Sequence, residues 1–190
     1  MRVLLIDFYD SFTFNLAHYL EALEVELLIK RYDQINTSDF SQINAIVLSP
    51  GPGLPHEKQG LAEILDNYVG KIPILGVCLG MQALVEHLGG TLKNQEFVKH
   101  GVAELIDIQP QTILFKDMPL QIEVGLYHSW QVCCPDAWIT AQSKFGIPMA
   151  IEYPEKKVYG VQFHPESIMT PTGMMILRNF LHICENEALR

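Results

Sequence analysis

The chain has 190 residues, 48% of them hydrophobic and 18% charged, which is the size and composition of a folded globular unit and excludes an intrinsically disordered one. Its formal net charge of −9 argues against nucleic acid and anionic membrane as main partners. No apolar stretch is long enough to span a bilayer, and Met1-Arg2-Val3-Leu4-Leu5-Ile6-Asp7 reads as a first strand rather than a signal peptide.

Residues 2–7 form an apolar run of strand length. Asp10 or Ser11 is placed to cap a helix in which Phe14, Leu16, Ala17, Leu20 and Leu23 recur at roughly helical spacing. A second strand is expected over 25–29, a polar loop over 33–41 and a third strand over 45–48, ended by Ser49-Pro50-Gly51-Pro52-Gly53. Residues 58–68 predict a helix with Leu61, Ile64 and Leu65 on one face. Pro73 to Val77 then reads as a strand, followed by a helical segment that Gly89-Gly90 stops. This alternation predicts an α/β fold, a mostly parallel open sheet with helices on both faces. The second half changes texture. Segments 102–108, 112–115, 122–127, 138–142, 149–153 and 158–163 are short strand candidates, expected as antiparallel additions at one edge. Pro154-Glu155-Lys156-Lys157 suits a hairpin turn. A last helix should follow Thr170 or Thr172, with Met175, Ile176, Phe180 and Ile183 inward. No linker or repeat divides the chain, so one domain over residues 1–190 is expected.

The chemistry centres on Gly76-Val77-Cys78-Leu79-Gly80 at a strand–helix junction. G-x-C-x-G is the thiol version of the G-x-S-x-G nucleophile elbow. The sharp turn strains the nucleophile, and only residues without a Cβ fit beside it. The thiol then sits at a helix N-terminus, where the macrodipole and free N–H groups favour thiolate. A buried packing cysteine is the competing reading. The other cysteines, Cys133, Cys134 and Cys184, show no disulfide framework, which fits a reduced, cytoplasmic protein.

A cysteine nucleophile needs a base, and the base needs an orienting group. His18, His87 and His182 fall in predicted helices, whereas His164 follows the apolar run Gly160-Val161-Gln162-Phe163 at a strand end. In an extended segment Glu166, two residues on, would point the same way and hold the imidazole tautomer. Gln82 lies four residues after Cys78 on the same helix face and can offer its amide to a substrate. The glycines and prolines of 49–53 suit a rigid wall against a ligand at the carboxyl end of the sheet. Tyr127-His128-Ser129-Trp130 is a further polar cluster at a strand end. A metal site from His128, Cys133 and Cys134 lacks a second ligand pair of zinc-like spacing.

Three blocks, P-I-L-G-V-C-L-G-M-Q at 73–82, S-P-G-P-G at 49–53 and G-V-Q-F-H-P-E-S at 160–167, together resemble the class I (triad-type) glutamine amidotransferases. The block Asp7-Phe8-Tyr9-Asp10-Ser11-Phe12-Thr13 narrows the resemblance to the small subunit of anthranilate synthase and of aminodeoxychorismate (para-aminobenzoate) synthase. The resemblance implies a flavodoxin-like fold and a Cys78–His164–Glu166 triad. It implies an oxyanion site from the backbone N–H groups of Leu79 and Gly51. Gly51, Pro52, Gly53, Gln82, Ser129 and Trp130 would bind glutamine, with Trp130 acting mainly through its backbone. It further implies ammonia delivery to a chorismate-binding synthase subunit, with no cofactor or metal on this chain. Met81, Val102, Leu126 and Trp130 depart from the usual histidine, lysine, arginine and leucine of the family. Missing basic positions favour the folate branch slightly over the tryptophan branch. A stand-alone γ-glutamyl thiol hydrolase of the same fold and a non-catalytic regulatory subunit are the alternatives.

Overall fold

Successive residues of the first strand, β1 (Arg2–Asp7), are buried on both sides of the sheet: Val3 and Leu5 join one core cluster, Leu4 and Ile6 the other. The same holds for Ala45 and Val47 against Ile46 and Leu48 in β3 (Ala45–Leu48). Two apolar faces are what a strand needs when helices cover both sides of a parallel sheet. The computed structural model describes residues 1–95, 98 and 100–188.

The remaining elements are α1 (Thr13–Ala22), β2 (Glu26–Arg31), α2 (Leu61–Tyr68), β4 (Ile74–Val77), α3 (Leu79–His87), β5 (Thr91–Asn94), β6 (Val102–Ile108), β7 (Gln121–Leu126), β8 (Trp130–Cys133), β9 (Ile139–Ser143), β10 (Pro148–Tyr153), β11 (Val158–Val161) and α4 (Gly173–Ala188). Among the described residues the main sheet has the order β2-β1-β3-β4-β11-β10-β9-β6-β7. The first five strands run parallel and the last four antiparallel. The cluster containing Val3 and Leu5 packs against Leu16 and Leu20 of α1 and Ile176 and Phe180 of α4. The opposite cluster packs against Leu61, Ile64 and Leu65 of α2 and Leu84 of α3. From β1 the chain crosses to β2 on one side, then returns to β3 on the other. That reversal opens a crevice at the carboxyl ends of the strands.

Four expectations need correction. Phe14 is 63% exposed, because Thr13, Leu16, Ala17 and Leu20 form the inward stripe of α1 and position 14 lies off it. The helix expected from residue 58 starts at Leu61, since Gly60 sits at φ 84° and breaks the helical path. Residues 112–115 turn instead of forming a strand. Glu152 takes the N–H groups of Ile113 (3.0 Å) and Leu114 (2.9 Å), and Asn179 donates to the carbonyls of Leu114 and Lys116. With its ladder groups engaged this way, the run buries Leu114 and Phe115 as a plug. Finally, β5 and β8 pair as a separate two-stranded antiparallel sheet that the sequence reading does not contain.

Candidate active site

The elbow forms between β4 and α3. Cys78 has φ 52° and ψ −105°, a region that a residue with a Cβ rarely enters. Its N–H donates to Val161 of β11 at 2.8 Å, and its carbonyl accepts the Gln82 N–H at 3.1 Å, so both sides of the strained residue are held. The flanking glycines have separate reasons. A Cβ at Gly76 would collide with the Gly80 carbonyl carbon and the Met81 nitrogen, that is, with the start of α3. A Cβ at Gly80 would lie 2.5 Å from the Leu48 carbonyl oxygen and 2.6 Å from its Cβ. Together they let α3 descend onto β4 and β3, bringing the thiol to the carboxyl edge of the sheet. Met81 is fully buried against Gly160 of β11, so its departure from the family pattern falls in the core and not in the site.

β11 ends at Val161, three residues before His164. The expectation of an extended His164-Pro165-Glu166 segment is incorrect: the Ser167 N–H closes a turn on the His164 carbonyl at 3.2 Å. The turn brings the carboxylate round, and Glu166 Oε1 lies 2.7 Å from His164 Nδ1. That leaves Nε2 toward the Cys78 thiol, which is near enough to bear on the charge of the imidazole. All three side chains are buried, with Cys78 at 8%, His164 at 3% and Glu166 at 3% exposure. Burial disfavours charge on His164. The hydrogen bonds and charges of Cys78 and Glu166 outweigh it and push the imidazole up to about 10. The charged imidazole is thereby favoured, with Nδ1 toward Glu166 and Nε2 toward the sulfur.

Several supporting residues escape the sequence reading. The Thr170 hydroxyl donates to the His164 carbonyl (2.7 Å) and accepts from the Gly125 N–H (3.0 Å), while the His164 N–H donates to the Gly125 carbonyl (3.2 Å). This ties the base to β7. Phe12 and Tyr127 meet the imidazole at steep angles, with centroids 5.1 and 4.9 Å away, and the Tyr127 hydroxyl lies 3.1 Å from Ser167 Oγ. No motif spacing links Phe12, Tyr127 and Thr170 to His164; only the fold does.

The 49–53 turn ends β3 beside the elbow. A Cβ at Gly51 would lie 2.6 Å from Phe8 Cβ and 3.4 Å from Leu79 Cδ2, so the turn rests on the end of β1 and on the first residue of α3. Lys58 Nζ donates to the Pro52 carbonyl at 2.6 Å and pins the outer half. The N–H of Leu79 belongs to the first turn of α3, which has no intrahelical acceptor.

Gln82 is buried, and its Nε2 donates to the Trp130 carbonyl and to Gln162 Oε1, each at 3.2 Å. Its amide protons are thus engaged by the protein, and Oε1 is the atom it can offer a substrate. Trp130 pairs with Asn94 at the end of the β5–β8 ladder, and Ser129 accepts the Gln95 N–H at 2.8 Å. The small sheet therefore sets the Ser129–Trp130 backbone beside α3. His128 Nδ1 lies 3.0 Å from the Trp130 carbonyl. Among the described residues no group of three or more His, Cys, Asp or Glu side chains is placed to hold a metal ion, and all four cysteines are free thiols.

A strained cysteine at a strand-to-helix elbow, beside a buried imidazole and carboxylate from the turn that follows the adjacent parallel strand, is an arrangement suited to an α/β enzyme with a cysteine nucleophile. The comparisons with known proteins carry this further. The family model for glutamine amidotransferase class-I matches residues 4–184, and the chain belongs to that family. It is 39% identical to the aminodeoxychorismate/anthranilate synthase component 2 of Bacillus subtilis, covering 98% of this chain and 99% of that protein. It is 38% identical to the aminodeoxychorismate synthase component 2 of Escherichia coli, covering 95% and 99%. A solved glutamine amidotransferase from Thermotoga maritima, 18% identical, shares the fold with a TM-score of 0.77 over 97% of this chain and 98% of its own.

Proposed function

We propose that this chain, as one domain over residues 1–190, is the glutaminase subunit of a chorismate-aminating synthase and acts through Cys78, His164 and Glu166. The observation that carries the assignment is the buried pairing of Glu166 Oε1 with His164 Nδ1, at 2.7 Å, beside the strained, buried Cys78. The Cys78 sulfur attacks the side-chain amide carbon of glutamine. The carbonyl oxygen takes up the negative charge and meets the N–H groups of Leu79 and Gly51, which is where donors contribute most. His164, holding the proton drawn from the thiol, passes it to the departing amide nitrogen, and ammonia leaves. Water then attacks the γ-glutamyl thioester, His164 takes a proton from it, and glutamate and the thiol are restored. Glu166 fixes the imidazole and balances its charge. Gly51, Pro52, Gly53, Gln82 through Oε1, Ser129 and Trp130 surround the glutamine.

The names of the relatives, component 2 of synthases, support a component 1 partner that receives the ammonia, and both anthranilate and aminodeoxychorismate are covered by those names. The weak lean from the missing basic residues remains toward aminodeoxychorismate. Four free cysteines support a reducing cytoplasmic setting, and no described helix is long and apolar enough to cross a membrane. The test is Cys78→Ser in the assembled synthase. Glutamine-dependent amination of chorismate should be abolished while ammonia-dependent amination is retained. Continued use of glutamine by that variant would overturn the assignment, and the product formed from chorismate identifies the branch.

A further inference from the structure

Ser49 is the last residue of the chain before the Pro-Gly-Pro-Gly turn, and it is fully buried. Its Oγ accepts the Phe8 N–H at 2.9 Å and donates to the Pro50 carbonyl at 2.6 Å. The Pro50 carbonyl and the Gly51 N–H belong to one planar peptide unit, in which a trans bond points the two groups in opposite directions. Drawing the carbonyl inward to Ser49 turns the Gly51 N–H the opposite way, away from the buried hydroxyl. No acceptor for that N–H is found among the described residues. Pro50 and Pro52 carry no N–H of their own, so within 50–52 Gly51 has the one donor the turn can present.

We propose that Ser49 is a positioning residue for the oxyanion site. Its hydroxyl sets the plane of the Pro50–Gly51 peptide so that the Gly51 N–H aims at the oxygen of the tetrahedral intermediate. The bonds run head to tail, from Phe8 N–H to Ser49 O–H to Pro50 C=O, and then from Gly51 N–H to the oxyanion. Each donor polarises the next acceptor, which strengthens the last bond when charge develops on the substrate oxygen. Oxyanion donors act in the transition state and not on bound glutamine, so the signature of Ser49 is in kcat.

This inference rests on the proposed glutaminase reading, and the experiment separates the two. Ser49→Ala and Ser49→Thr are compared with the native chain in the assembled synthase, together with Cys78→Ser. Ser49→Ala is expected to lower kcat for glutamine about 10–100-fold, less than the loss on deleting an oxyanion donor outright. KM should stay within about twofold. Alkylation of Cys78 by iodoacetamide, which builds no oxyanion, should proceed at the native rate. Ser49→Thr keeps the hydroxyl and should recover most of kcat. A native kcat in Ser49→Ala, or a parallel fall in kcat and alkylation rate, overturns the role of Ser49. If Cys78→Ser still consumes glutamine, the glutaminase reading itself fails.

Discussion

Replacing Gly80 by alanine adds one carbon 2.5 Å from the Leu48 carbonyl oxygen and 2.6 Å from Leu48 Cβ. Both are roughly 1 Å short of ordinary van der Waals separation. Leu48 is the last residue of β3, fully buried in the centre of the sheet, so the first turn of α3 must move instead. Overpacking of this kind costs about 1–3 kcal/mol. Alanine returns about 1 kcal/mol through its helix propensity, because Gly80 lies inside α3. The net loss of stability is then about 0–2 kcal/mol, a fall in Tm of at most about 8 °C for a chain of this length. The catalytic loss should be much larger in proportion. Leu79 and Cys78 ride on that turn, and a shift of about 1 Å in reacting groups costs on the order of 10²-fold in rate. The assay is glutaminase kcat in the assembled synthase beside thermal unfolding of the same preparation. A variant with native Tm and kcat within about twofold would refute the packing account of the second glycine, and with it the claim that α3 cannot shift without disturbing the thiol.

Thr170→Val keeps the side-chain shape but strands the buried Gly125 N–H and removes one of two donors from the His164 carbonyl, which keeps the Ser167 N–H. A loss of about 1–3 kcal/mol in urea unfolding is expected, and a loss below about 0.5 kcal/mol would show that Thr170 does not hold the His164 segment. For His164, NMR of the imidazole should place its titration near 10 in the native chain, and distinctly lower in Cys78→Ala, where burial is opposed by Glu166 alone. Because the folded value lies above the ordinary 6.5, this proton stabilises the fold fully below pH 6.5 and the contribution is lost as pH rises through about 10. An identical midpoint with and without the thiol would refute the Cys78–His164 coupling.

The parallel half of the fold was legible because its strands are short apolar runs ended by glycine and proline, and its helices carry a stripe toward the sheet. The region 112–115 misleads for a physical reason: Ile-Leu-Phe is apolar enough for a strand, but the Ile113 and Leu114 N–H groups are taken by Glu152 on β10, 39 and 38 residues away in the chain. Nothing local signals that capture. β5 and β8 escape a sequence pattern because Thr-Leu-Lys-Asn and Trp-Gln-Val-Cys are four residues each, too short to show a period, and owe their extended form to one another. The His164–Glu166 pairing was expected on strand alternation, yet the structure brings the two together through a turn. Two residues' separation permits either geometry, and the sequence does not distinguish them.

The block Asp7-Phe8-Tyr9-Asp10-Ser11-Phe12-Thr13 carries the resemblance to the synthase small subunits and contains none of the proposed triad residues. The structure divides it. Asp7 Oδ1 accepts the Tyr9 N–H (2.8 Å) and the Thr13 hydroxyl (2.9 Å), which holds Tyr9 at φ 65° and starts α1. Neither capping candidate caps the helix: Phe12 is at the N-cap with no side-chain cap bond, and Asp10 Oδ1 instead accepts the Phe12 N–H at 2.8 Å in the loop before it. With the loop fixed at both carboxylates, Phe8 reaches the 49–53 turn through Ser49, and Phe12 reaches His164 through its ring. The two contacts are four residues apart in one short loop, so displacement of the loop acts on the 49–53 turn and the imidazole together. Tyr9, at 44% exposure, and Ser11 are the exposed residues of this block, so a protein docked there would press on a loop bonded to Ser49 and in ring contact with the His164 imidazole.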